Sequence, residues 1–211
     1  MVLTAFALIA LLASGMIGWG ASRTWAHPGD RSAEAGFARD MQAHHAQAVE
    51  MALIIRDKTS DPTLRAISYD IITTQQQQAG QMYGWLTQWG LPQTGSHPAM
   101  TWMGTSGSQP MTDMMHGATP SAPTEAPSPG RMPGMASGEE LAQFRAATGI
   151  AAERLFLTLM IKHHKGGVEM ADAILSLSDR SEVVALASAI QKAQTVESEQ
   201  LTTLLTERTD S

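Results

Sequence analysis

The stretch M-I-K-H-H-K-G-G-V-E-M-A, residues 160–171, decides the fold, because the chain contains it twice. Residues 41–52 read M-Q-A-H-H-A-Q-A-V-E-M-A. Laid over itself with an offset of 119, the sequence matches at 14 of the 50 positions from Phe37 to Leu86, without a gap. Such self-similarity is the signature of an internal duplication. Each copy divides at a turn, Asp57 to Pro62 in the first and Ser176 to Ser181 in the second. Pro62 suits the first turn of a helix. Before the break, apolar or special residues fall at 37, 41, 44, 48, 51 and 55; after it, at 64, 67, 71, 75, 78, 82 and 85. Steps of three and four mark an inward helical stripe. The second copy repeats them from 156 to 204. The expected fold is therefore all-α: a four-helix bundle built from two duplicated helical hairpins, neither able to bury its stripe alone.

The parts follow from this frame. Residues 33–89 form the first hairpin and 139–207 the second, with 33–207 as one bundle domain. Residues 90–138 hold most of the prolines and many glycines and serines, in the style of a linker. Residues 139–153 regain helical character and are expected to lead into the third long helix, with Gly149 as a weak point. Val2 to Trp19 is a nearly unbroken apolar run. Residues 1–26 are accordingly expected to be a signal peptide or a membrane anchor, and the protein to be exported, periplasmic or extracellular, or tethered to the cytoplasmic membrane facing outward.

Composition narrows the chemistry. The net charge is −6 with no basic block, which argues against nucleic acid as a partner. There is no cysteine, so thiolate metal sites, disulfides and thiol nucleophiles are excluded. Methionine, by contrast, is abundant, with 14 residues. A methionine-rich, cysteine-free chain suits an oxidising compartment in which a soft metal is bound without thiols.

On the helices, His44 and His163 fall on the inward stripe, and His45 and His164 lie about 100° round at its edge. Met41 and Met160 precede the pairs by one turn, and Met51 and Met170 follow by two. Gln75, Gln78, Gln194 and Glu197 stand on the second helices where leucine is expected. They are read as outer partners of the histidines, since a buried polar layer needs partners. Glu50 and Glu169 point about 120° away from the inward histidines and serve as outer partners or as solvated groups. The structural alternative is that Gln and Glu hydrogen-bond the histidines and fix the register of the bundle.

Seven methionines lie in the linker, including the run Met111, Met114, Met115 and His116. Exposed thioethers are oxidisable, whereas clustered Met and His suit a soft ion such as Cu(I) or Ag(I). The alternative is a flap packed across the bundle.

With these motifs in hand, the chain resembles the domain of unknown function 305 family over about residues 33–206. The resemblance is carried by F-A-R-D-M-Q-A-H-H-A-Q-A-V-E-M-A, R-M-P-G-M-A-S-G-E-E-L and L-F-L-T-L-M-I-K-H-H-K-G-G-V-E-M-A. It implies a ferritin-like helical bundle in an exported or membrane-tethered protein. It also implies copper binding by Met41, His44, His45, Met51, Met160, His163, His164 and Met170, with the loop methionines. Gly166-Gly167 is read as flexibility after the second pair, and Gln78 opposite Glu197 as a source of inequality between the halves.

The expected function is extracytoplasmic binding of copper, chiefly Cu(I), with other transition metals possible, for buffering, resistance or trafficking. No enzyme is expected. An oxidase on a ferritin-like bundle needs several carboxylates and paired E-x-x-H motifs, and no Glu here is followed by His three residues later. H-E-x-x-H, G-x-S-x-G and phosphate-loop motifs are absent as well. The remaining alternative is a structural or interaction module. The expected partners are a metal ion, the membrane if the N-terminus is uncleaved, and a second copy in a homodimer.

Overall fold

The computed structural model describes residues 27–105 and 132–209. The apolar N-terminal segment and Met111, Met114, Met115 and His116 lie outside them. The described residues are all-α: α1 (Ala33–Lys58), α2 (Pro62–Gln88), a short 3-10 helix (Thr101–Thr105), α3 (Gly138–Ala146), α4 (Gly149–Leu177) and α5 (Ser181–Thr209). None of their helices is long and apolar enough to cross a membrane.

Local chemistry sets the boundaries. The Ser32 side chain caps α1 by accepting from Ala35 N, and the Asp61 side chain caps α2 by accepting from Leu64 N, with Pro62 in the first turn. Three residues, 59–61 and 178–180, separate the two helices of each hairpin, so the partners run antiparallel. The hairpins meet chiefly along α1 and α4.

Residues 139–153 do not run straight into the third long helix. They hold a separate short helix, α3, closed at Ala147 and followed by Gly149 at φ 55°. The cause is Lys58, which ends α1. Its Nζ donates to the carbonyls of Arg145 and Ala147, both at 2.6 Å, and takes up groups that a longer helix would have used internally. At its start α3 has a capping box. Ser137 Oγ accepts from Glu140 N at 3.1 Å, and Glu140 Oε2 accepts from Ser137 N at 2.6 Å. Ser137→Ala is expected to cost about 1 kcal/mol, read as a lower urea midpoint at unchanged slope.

The stretch assigned to a linker packs against the bundle at both described ends. Asp40 Oδ2 accepts from Met100 N at 2.7 Å and from Trp102 Nε1 at 2.8 Å. The Trp102 ring lies so close over Gly36 that a β-carbon there would stand 2.5 Å from it. Met100 is buried in the apolar packing, and Met103 and Met132 lie partly buried against it, so these three follow the packing alternative of the sequence reading.

The apolar interior is divided in two. One cluster gathers Met51, Ile55, Leu64, Phe144, Phe156 and Met160; the other gathers Phe37, Met41, Met82, Trp102, Met170 and Ile174. Between them lies a polar layer made of the duplicated histidines and the glutamines opposite them.

Candidate metal centre

All four histidines are buried, none more than 1% exposed. His44 and His163, equivalent under the duplication, meet across the seam of α1 and α4. Their ring centroids are 3.7 Å apart and the planes are tilted by 34°. The outer pair repeats one contact in each half. His45 Nε2 donates to Gln78 Oε1 at 2.9 Å, and His164 Nε2 donates to Glu197 Oε2 at 2.6 Å. Both bonds span 33 residues, so the duplication extends to the side-chain geometry.

His44 has a partner that the repeat does not provide. Its Nε2 donates to the Pro133 carbonyl at 3.1 Å. Residues 132–137 form a strap over the seam. Gln47 clamps it, donating from Nε2 to Ala136 O at 3.0 Å and accepting from Ala136 N at 2.7 Å. Under the 119-residue offset, Gln47 corresponds to Gly166. There a β-carbon would stand 2.2 Å from Pro133 O and 2.7 Å from Gly134 N. Gly134 itself sits at φ 72°, against the α4 backbone. Gly166 and Gly167 are therefore not a flexible insertion. Both are buried inside α4 and serve close approach, Gly166 to the strap and Gly167 to Gln194. Sequence reading missed the strap; the missing side chain at Gly166, where the first copy has Gln47, was the available signal.

The tautomers follow from the acceptors. A backbone carbonyl, an amide oxygen and a carboxylate only accept, so Nε2 carries the proton in His44, His45 and His164. In the neutral His44 and His45 rings Nδ1 is then a lone-pair donor, and the Nδ1 atoms of all three are buried without a partner. Both ring nitrogens of His163 are likewise unpartnered, as are both amide atoms of Gln75 and Gln194. Buried polar atoms ordinarily find partners, and this concentration of unpartnered ones singles out the layer as the candidate site. Burial disfavours the protonated form of three of the rings. It lowers the pKa of His44 to about 4, against the raising effect of the Pro133 carbonyl. It lowers that of His45 to about 3, helped by the neighbouring His44. His163 is held well below the ordinary range by burial first and by the other histidines second.

The other sequence-predicted residues are placed as follows. Met41 and Met170 fall in the apolar cluster on one side of the layer, Met51 and Met160 in that on the other, all fully buried. The four thioethers thus divide two and two about the histidines. Gln75 and Gln194 lie buried in the layer, whereas Glu50 pairs with Arg145 at the surface and Glu169 is exposed. Among the described residues, no three His, Asp or Glu side chains stand together as a ready cage for one ion. What the layer offers is buried imidazoles, with two methionines in the apolar cluster on either side. The His44 and His163 rings lie face to face, so an ion shared between them requires one ring to turn edge-on.

The described residues thus form an all-α protein of paired hairpins with a buried histidine layer. The chain belongs to the family described as Domain of unknown function (DUF305), whose profile matches residues 34–205. A Streptomyces coelicolor DUF305 protein assigned as secreted is 39% identical, with 85% of this chain and 96% of that one covered at a TM-score of 0.71. A DUF305 fragment from Deinococcus radiodurans is 31% identical over 83% and 96%, at 0.62. CopM in its Cu(I)-bound form shares the fold at 20% identity over 86% and 98%, at 0.58. No curated protein matches the chain.

Proposed function

We propose that this protein binds copper outside the cytoplasm, as Cu(I), through its duplicated histidines, and that it buffers or carries the ion rather than catalysing a reaction. One observation carries the reading. Three buried imidazoles have Nε2–H tied to an outer oxygen and Nδ1 left free, the arrangement in which an outer acceptor orients a metal-binding histidine and raises its basicity. Because burial holds the His44, His45 and His163 rings neutral, loading need not displace a proton from them at neutral pH. Thioethers above and below favour a soft ion. Solved forms of CopM with Cu(I), Cu(II) and silver support the same reading, as does the secreted assignment of the Streptomyces relative for export. Met111, Met114, Met115 and His116 are proposed to capture the ion first.

A second reading, a layer that only fixes bundle register, is favoured by the bonds from His45 to Gln78 and from His164 to Glu197. An anaerobic Cu(I) titration against a chromophoric chelator separates the two, using the full chain and a His44→Leu/His163→Leu variant. Substituting Met111, Met114 and Met115 with Leu and His116 with Gln in both removes the loop contribution. The expected result is loss of the tight site in the His variant, with an apo Tm unchanged or higher, since apolar residues replace buried polar ones. Unchanged affinity together with a lower Tm would establish the register reading instead.

A further inference from the structure

The two halves of the layer are alike in geometry and unlike in charge. His45 bonds the neutral amide of Gln78, and His164 bonds the carboxylate of Glu197 at the shorter distance of 2.6 Å. Glu197 is the one carboxylate bonded to a histidine among the described residues. Glu50 is engaged by Arg145, and Glu169 is exposed. Access differs as well. Gln78 is buried, whereas the Glu197 side chain is 20% exposed, and the strap covers the α1–α4 seam at His44.

A cation held only by neutral imidazoles and thioethers leaves an uncompensated charge in a low-dielectric core, at high cost. One carboxylate in contact with the layer offsets one monovalent ion. On the reading that the histidines bind Cu(I), we infer that Glu197 is a positioning residue which makes the His163–His164 half fill first and limits the core to one tightly held ion. It balances the ion's charge and fixes the His164 ring through Nε2–H. Gln78 fixes the His45 ring in the same way but brings no charge, so the first half binds more weakly.

The test is a titration of the full chain with Ag(I), a diamagnetic soft ion, followed by the imidazole 15N resonances, with Glu197→Gln and Gln78→Glu alongside the wild type. In the wild type the His163 and His164 signals are expected to move within the first core equivalent, and those of His44 and His45 afterwards or partially. Glu197→Gln keeps the hydrogen-bonding shape and removes the charge. It is expected to weaken the first core ion by roughly 10–100-fold and to abolish the order. Gln78→Glu is expected to confer tight binding on the first half. A purely structural role for Glu197 would change Tm and leave the order intact. Simultaneous movement of all four rings in the wild type, or an unchanged order in Glu197→Gln, overturns the inference while the copper reading stands. If no imidazole responds to Ag(I), both fall.

Discussion

Acidification of the metal-free protein from pH 7 towards pH 4 is expected to remove much of its stability. In the unfolded chain the imidazoles titrate near 6.5. In the folded chain His44 does so at about 4 and His45 at about 3, and His163 well below its ordinary value. Between these limits the unfolded state binds more protons, so stability falls as pH falls. The contribution is complete above about pH 6.5, declines through the window, and levels off once the native rings protonate as well. At 1.36 kcal/mol per unit, the depressed pKa of His44 alone implies a loss on the order of 3 kcal/mol on acidification through this window, large beside a domain's total stability. Asp40 acts in the opposite sense, since burial raises its pKa. Thermal melts between pH 7 and pH 4 check the expectation. The His44→Leu/His163→Leu variant should show a flatter profile, and an unchanged wild-type Tm from pH 7 to pH 5 would contradict it.

The second large effect comes from one methyl group. Gly166→Ala lies inside a helix, where alanine normally stabilises by about 1 kcal/mol over glycine. Here the added carbon would meet Pro133 O and Gly134 N at 2.2 and 2.7 Å, and both are backbone atoms. The strap has to lift, and with it goes the carbonyl that accepts from His44. The expected cost is about 1–3 kcal/mol, as for overpacking elsewhere, accompanied by a change in the His44 15N shift and faster amide exchange at Ala136. Gly167→Ala is the control. Its new carbon would meet Gln194 Oε1 at 2.1 Å, the end of a side chain that can swing aside, so helix propensity offsets the crowding. Urea unfolding of the two variants should therefore differ clearly. Equal midpoints would show that the strap does not depend on Gly166.

Much of this architecture is legible from the repeat. Steps of three and four residues define which helix face is inward, and turn residues define where each hairpin reverses, so His44, His163, Gln75 and Gln194 could be placed in the interior before any fold was known. Short-range rules also found Pro62 as a helix start. They overran at residues 139–153, because the group that ends α3 is Lys58, some 87 residues away in the chain.

The sequence by itself determined the all-α class, the duplication and the burial of the histidines, because each depends on periodicity within a helix. Only the tertiary structure decided that His44 and His163 stack on one another, that the methionines divide about the layer, and that the outward Glu50 pairs with Arg145. It alone assigned the ring protons. A tautomer is fixed by its acceptor, and Pro133 O lies 89 residues from His44 along the chain. Periodicity sets the face a side chain presents; what that face meets depends on how separate helices and the strap pack.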